Sequence, residues 1–154
     1  MSSIALRANK NSSQKSKTTT VVIDTGVLVS AALFTNSQPA RALRLAFSNC
    51  RLLISTATMD ELENVFSRNK FDRYAPIDFR LLFAALYRER ADLVVVESVV
   101  LDCAAPKDNK FLALALDGGA DIVLASDAHL TVMNPWRGID ICTPAQFLIK
   151  VAVS

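Results

Sequence analysis

The sequence lacks the features that would assign it to several common classes of protein. No run approaches the roughly 20 consecutive apolar residues of a transmembrane helix, and the first twenty residues have no apolar block of the kind found in signal peptides. The three cysteines, Cys50, Cys103 and Cys142, are far apart and show no C-x-x-C spacing. These absences predict a soluble cytoplasmic protein with reduced cysteines and no membrane association.

Several catalytic and phosphate-binding motifs are missing as well. Neither G-x-x-x-x-G-K-[ST] nor G-x-G-x-x-G occurs, which argues against an NTPase or a dinucleotide-dependent enzyme. The G-x-S-x-G motif of serine hydrolases is also absent. His129 is the only histidine, so no second imidazole is present to complete a zinc site.

The 154 residues, 51% of them hydrophobic, suffice for one domain with a substantial core. Residues 1–20 contain four of the 17 basic residues and none of the 15 acidic ones. Their Ser-, Thr-, Asn- and Lys-rich composition offers little apolar surface to offset the entropy of ordering. We expect a flexible basic leader at 1–20 and a single domain at 21–150. The leader could be a plain solvated segment, a nucleic-acid-binding arm or a transit peptide.

Short apolar runs alternate with amphipathic helical patterns along the domain. The first strand starts at residue 21 and ends in a turn at 24–26, and further strands are predicted at 51–55, 93–96, 122–125 and 139–142. A loop is predicted at 31–37, and helices at 39–49, 56–67, 77–91, 108–117 and 144–150. This alternation indicates an α/β fold whose parallel sheet is covered by helices on both faces.

The helix predicted at 77–91 has an apolar stripe formed by Phe79, Leu82, Phe83 and Leu86. Helical spacing favours a stripe that faces the core. A dimer face or a groove for a partner helix is the alternative.

Four acidic residues stand where strands end or the following helices begin. Asp24 and Asp127 end the first and fourth strands, and Glu61 and Asp108 begin the helices after the second and third. In a parallel sheet all four would lie at the carboxyl edge, where α/β proteins bind ligands. Any one of them could instead stabilise a helix N-terminus.

Glu61 also has a competing structural role. The segment TMDE at 58–61 fits a capping box in which Glu61 would bond to the helix N-terminus. Helical spacing alone does not distinguish Glu61 from Glu63.

A cluster of carboxylates implies a cation, because like charges raise one another's pKa unless a positive charge intervenes. Oxygen ligands favour Mg²⁺ or Mn²⁺, and such an ion suits phosphodiester hydrolysis. The D-T-G at 24–26 also occurs in aspartic proteases, but the helical patterns of this chain do not suit that mostly β fold.

The chain resembles the PIN domain, in particular the toxin-like branch of bacterial toxin–antitoxin ribonucleases. Five segments carry the likeness in order: VVIDTGVLVSAALF, LLISTATMDELENVF, PKDNKFLALAL, ADIVLASDAHL and GIDICTPAQFL. The resemblance covers about residues 21–148. It implies a three-layer α/β/α sandwich around a mostly parallel sheet of about five strands, and a metal-dependent endoribonuclease.

The family's catalytic and metal-binding acids would correspond to Asp24, Glu61, Asp108 and Asp127, which selects Glu61 over Glu63. The resemblance further implies Mg²⁺ or Mn²⁺ as cofactor, RNA as substrate, an antitoxin as partner and a homodimer or higher homo-oligomer.

The chain departs from the family pattern at several positions. Gly26 stands where Asn is common, Ala104 and Ala105 where an Arg-Asp pair is frequent, Ala113 where a Glu is frequent, and His129 where a second acid is often found. Because such polar groups orient metal ligands, their loss is expected to weaken metal binding. The alternative hypothesis is a catalytically weak PIN-like module that binds RNA or protein.

Overall fold

The computed structural model describes residues 18–152, so nearly all of the leader predicted at 1–20 lies outside the described residues. The strands are β1 (Thr19–Ile23), β2 (Cys50–Ile54), β3 (Asp92–Leu93), β4 (Ile122–Leu124) and β5 (Asp140–Cys142). The helices are α1 (Thr25–Leu33), α2 (Gln38–Asn49), α3 (Thr56–Phe66), α4 (Ile77–Arg90), α5 (Asn109–Gly118), α6 (Ala128–Thr131) and α7 (Pro144–Ala152). Short 3₁₀ turns span Asn69–Phe71 and Pro106–Asp108.

The five strands form one parallel sheet in the order β3–β2–β1–β4–β5. Val21 of the central strand pairs with Leu52 on one side and with Ile122 on the other. A parallel sheet needs helical crossovers that cover its faces, which explains why its strands are apolar on both sides. The predicted fold class is confirmed.

Two apolar clusters, one on each face of the sheet, make up the core. Val21 and Ile23 of β1 belong to the cluster that includes residues of α1, α2, α3, α4 and α7, whereas Val22 belongs to the cluster that includes α5. The alternation follows from the two-residue period of a strand. The molecule is therefore a three-layer sandwich, and within residues 18–152 no helix is long and apolar enough to cross a membrane.

The predicted turn at 24–26 and part of the loop predicted at 31–37 are wrong, because helix α1 begins directly after β1. Asp24 is its N-cap, and the Oδ1 atom of Asp24 accepts a hydrogen bond of 2.8 Å from the amide of Val27. Six of the nine residues of α1 are buried. A helix buried on most of its surface has no amphipathic period, and the sequence pattern therefore could not reveal it.

The third strand is shorter than predicted. Its pairing with β2 covers Asp92 and Leu93, and the amide of Val94 adds one bond of 2.8 Å to the carbonyl of Ile54. After Val94 the chain leaves the sheet. The amides of residues 97 and 98 donate to the carboxylate of Asp117 rather than to a neighbouring strand.

The expectation that the apolar stripe of α4 faces the core holds for Phe83, whose ring lies 5.9 Å from that of Phe66, and is wrong for the other three residues. The exposed fractions of Phe79, Leu82 and Leu86 are 44%, 56% and 55%. The helix instead buries the face that contains Arg80, Ala84 and Tyr87. This face has helical spacing too, but the arginine within it conceals it from a hydrophobicity pattern.

Candidate metal centre

The four predicted acids line one cleft of about 430 Å³, located where β1 and β4 end and α5 begins. Glu61 lies in the middle of α3 (Thr56–Phe66) and not at its start, so its predicted place at the beginning of the helix is wrong. The cleft is also lined by basic and aromatic side chains, namely Arg68, Phe71, Lys107 and Phe111.

Asp24 lies at the base of this cleft and is only 2% exposed. Its carboxylate accepts bonds from three backbone amides: Val27 donates to Oδ1 at 2.8 Å, and Ser126 and Asp127 donate to Oδ2 at 3.0 and 3.4 Å. Burial raises the pKa of Asp24, and the three amides only partly oppose this effect. Asp24 therefore joins the ends of β1 and β4 while it adds a buried negative charge to the site.

Asp108 is the acid whose environment least resembles a structural role. It stands at the N-cap position of α5 but makes no capping hydrogen bond, and its Oδ2 atom is buried without a hydrogen-bond partner in the described part of the chain. Desolvation, followed by the approach of the Asp127 carboxyl group, raises the pKa of Asp108 to about 6. A buried carboxylate oxygen without a partner is costly, and a proton or a cation bound to this atom would remove that cost.

Asp127 interacts with the carboxyl group of Asp108 and also caps the start of α6. Its Oδ1 atom accepts a bond of 2.8 Å from the amide of His129 and lies 3.1 Å from the ring Nδ1 atom of the same residue. The backbone bond is the largest influence, and the pKa of Asp127 is lowered. His129 thus contacts a predicted ligand, but it does not line the cleft.

Glu61 is held by two polar side chains rather than by the helix backbone. The hydroxyl of Thr25 donates to Oε2 at 2.5 Å, and the Nζ atom of Lys110 lies 2.6 Å from Oε1. Although burial acts in the opposite direction, these bonds lower the pKa of Glu61. The predicted capping box is wrong, because the box is formed by Ser55 and Thr58. Glu61 consequently has no capping duty.

The four carboxylates offer only oxygen ligands, which suit a hard divalent cation such as Mg²⁺. One of these oxygen atoms, Oδ2 of Asp108, is buried and has no hydrogen-bond partner among the described residues. Yet, as the side chains of residues 18–152 are arranged, no three of His, Cys, Asp or Glu are poised to hold one ion. The carboxylate of Asp24 accepts from backbone amides, and that of Glu61 pairs with Lys110. Binding of one ion by three of these carboxylates would require their side chains to rotate.

The departures from the family pattern differ in their position. Gly26 lines the cleft, and a Cβ atom at this position would approach Ser126 Oγ to 2.7 Å. The Ser126 hydroxyl therefore takes up the space in which a larger side chain would begin. The other three departures do not line the cleft: Ala104, Ala105 and Ala113. Ala113 is 6% exposed and belongs to the apolar cluster that includes α5.

Sequence reasoning missed Thr25 and Lys110, the two partners of Glu61. Neither belongs to a motif defined by residue type. The only signal was proximity in sequence, because Thr25 follows Asp24 directly and Lys110 follows Asp108 by two residues.

A parallel α/β/α sandwich with acidic residues clustered in a cleft at one edge of its sheet defines a recognisable class of protein. The chain belongs to the PIN domain family, whose sequence model matches residues 20–129. No curated protein sequence matches it.

Two solved structures are similar in fold. VapBC2 from Rickettsia felis, in a crystal structure with a DNA fragment from its promoter, matches with a TM-score of 0.57 and 11% identity, over 80% of this chain and 98% of the other. PAE2754 from Pyrobaculum aerophilum matches with a TM-score of 0.58 and 14% identity, over 89% and 92%. At these identities the likeness concerns the fold.

Proposed function

We propose that this chain is a divalent-metal-dependent endoribonuclease that acts as the toxin of a toxin–antitoxin pair. The observation that carries the proposal is the buried, unpaired Oδ2 atom of Asp108, which lies in a cleft with three further carboxylates. Such a cluster is unfavourable on its own and becomes favourable around a cation.

Asp24, Asp108 and Asp127 would hold the ion, and Glu61 would contribute through water, since Mg²⁺ retains part of its hydration shell. When bound, Mg²⁺ or Mn²⁺ supplies a Lewis acid that lowers the pKa of water and stabilises charge on a phosphoryl group.

The residues of the chain have separable duties in this proposal. The amides of Ser126 and Asp127 fix the orientation of Asp24. Asp108 and Asp127 approach closely enough to share a proton, and their carboxyl groups give up that proton on binding a cation. Thr25 and Lys110 hold Glu61 at the side of the cleft.

The proposed partners are RNA, an antitoxin protein and a second copy of the chain. The VapBC2 neighbour is a complex bound to promoter DNA, which supports an antitoxin by analogy of fold. The exposed apolar side chains of α4 support a protein contact. The three free cysteines support a reducing, cytoplasmic location.

The proposal is tested by cleavage of an unstructured, fluorescently labelled RNA in EDTA, Mg²⁺ or Mn²⁺. We expect cleavage with either ion, faster with Mn²⁺, and none in EDTA. Asp108→Asn should reduce the rate by at least about 100-fold. This variant is preferable to Asp24→Asn because Asp108 makes no capping bond, whereas Asp24 accepts three backbone amides.

Asp60→Asn is the matched control. Asp60 is the exposed neighbour of Glu61 on α3 and does not line the cleft, so its loss should leave the rate unchanged. Cleavage that persists in EDTA, or equal rates for Asp108→Asn and Asp60→Asn, would contradict the proposal. RNA binding without cleavage by the natural protein would favour the binding module instead.

A further inference from the structure

One part of the cleft wall has the opposite character to the carboxylate cluster. Arg68 and Phe71 line the cleft from the segment that connects α3 to α4. Two apolar side chains also line it, Val29 from α1 and Val65 from α3. A cation and an aromatic ring thus share one cleft with four acids.

Arg68 lines the cleft and is only loosely attached to the protein through its side chain. Its guanidinium makes a single long bond of 3.4 Å, to Oδ1 of Asn64, and forms no ion pair within residues 18–152. By contrast, the charge of Lys107, the other basic side chain that lines the cleft, acts on the acids: it helps to lower the pKa of Glu61 and opposes the rise in the pKa of Asp108. The Arg68 charge is therefore available for an external anion, although carboxylates line the same cleft.

A buried arginine fixes the segment that carries Arg68. The Arg80 side chain on α4 is fully buried and donates to the carbonyl of Phe66 at 2.7 Å, to the carbonyl of Arg68 at 3.3 Å and to that of Ala75. It also pairs with Asp72 Oδ1 at 3.0 Å. One guanidinium thus ties both ends of the connection to α4, which holds the Arg68 backbone in place.

We propose that Arg68 binds a phosphate of single-stranded RNA next to the bond that is cleaved, and that Arg80 is the positioning residue that maintains this contact. The inference rests on the proposed function and names how its substrate is held. A guanidinium suits the phosphate group because it donates parallel hydrogen bonds. The Phe71 ring and Val65 offer an apolar surface for the adjoining base.

The experiment measures binding of a labelled, unstructured 12-nucleotide RNA by fluorescence anisotropy, with Ca²⁺ or EDTA in place of the activating ions. Each phosphate contact to a single strand contributes about 0.7 to the slope of log K against log salt. Arg68→Ala should therefore reduce that slope by about 0.7 and weaken binding about fivefold at 0.1 M salt. Arg68→Lys should retain most of the slope.

Arg73→Ala is the matched control, because Arg73 lies in the same connection, is exposed and does not line the cleft. We expect its affinity and salt slope to equal those of the natural protein. Equal binding by Arg68→Ala, Arg73→Ala and the natural protein would overturn the inference, as would a natural protein that binds no RNA. Arg68→Gln replaces Arg68→Ala if thermal unfolding shows that the latter is not folded.

The role of Arg80 requires a readout beyond stability. Arg80→Lys should weaken RNA binding and reduce the salt slope, but it should have no further effect on affinity once Arg68 is alanine. Equal losses of affinity in both backgrounds would overturn the positioning role.

The outcomes also separate this inference from the proposed function. A protein that binds RNA through Arg68 without cleaving it refutes the nuclease and the placement beside a cleaved bond but keeps the phosphate contact. A protein that cleaves RNA but binds equally without Arg68 refutes only the phosphate contact.

Discussion

Asp108 differs from the other three acids of the cleft because no capping bond or ion pair occupies its carboxyl group in the described chain. Asp24 and Asp127 each cap a helix and Glu61 pairs with a lysine, whereas Oδ2 of Asp108 is buried without a partner. Asp24 and Asp127 are thus helix caps that also line the cleft, so the capping role and the predicted role in the site do not exclude one another. A sequence pattern cannot separate the two roles where one carboxylate has both.

The raised pKa of Asp108 makes its ionisation unfavourable for folding. Its pKa is about 6 in the folded chain and 3.8 ordinarily, so the folded state binds the proton more tightly. Stability is therefore lost as the pH rises from about 4 to about 6, and the full cost remains above that range. The lowered pKa of Asp127 acts in the opposite direction and offsets part of this cost.

Asp108→Asn should accordingly stabilise the protein in EDTA at pH 7.5, by about 1–2 kcal/mol, and should have little effect at pH 3.5. Urea unfolding of the variant and the natural protein at both pH values measures this difference. Asp60→Asn, which changes an exposed carboxylate, is the control. A variant that is less stable than the natural protein at pH 7.5 would show that the Asp108 charge is already well compensated.

Among the helices, α4 illustrates what a hydrophobic pattern can and cannot predict. The existence of the helix and its start at Ile77 follow from the sequence, but the choice of buried face does not. The buried face contains a fully buried arginine, whose cost is offset by the carbonyl groups it satisfies. Those partners come from a distant segment, and helical periodicity contains no information about them.

Arg80→Met should lower the free energy of unfolding by about 3 kcal/mol, since it leaves buried carbonyl groups without donors. Chemical denaturation followed by circular dichroism measures the loss. Arg88→Met is the control on the same helix: its guanidinium is half exposed and pairs with Glu63 at 2.8 Å, so the change should stay within about 0.5 kcal/mol. Similar losses for both variants would mean that the buried bonds of Arg80 contribute little.

Helix ends were easier to predict than helix faces. Gly119 ends α5 with φ of 65°, in the left-handed region that favours glycine, and a Gly-Gly pair after an apolar helical pattern is a recognisable signal for such an end. Thr143 and Gln146 bond reciprocally at the start of α7, and the T-x-x-Q spacing is the corresponding signal for a helix start. Both signals depend on neighbouring residues and local backbone geometry. Helix α1 has a capping residue too, Asp24, but its mostly apolar sequence has no helical period to support that signal.

At the scale of the whole molecule, the order of strands and helices and the family could be predicted from the sequence. The apolar runs that end in Asp24 and Asp127 lie on adjacent strands, β1 and β4, and parallel pairing brings their ends together. What could not be predicted is the set of contacts around the acids, because Lys110, Thr25 and Ser126 reach the cleft only through the packing of helices against the sheet.

The central claim is that the carboxylates in this cleft form a divalent-metal site, and calorimetric titration with Mn²⁺ tests it most directly. At pH 7.5 we predict binding with a dissociation constant on the order of 1 mM, abolished in Asp108→Asn and unchanged in Asp60→Asn. At pH 6 binding should release protons, detected as a heat that depends on the buffer, because the cation displaces the proton shared by Asp108 and Asp127. Absence of Mn²⁺ binding at 10 mM, roughly ten times the expected constant, or equal binding by Asp108→Asn, would contradict the account.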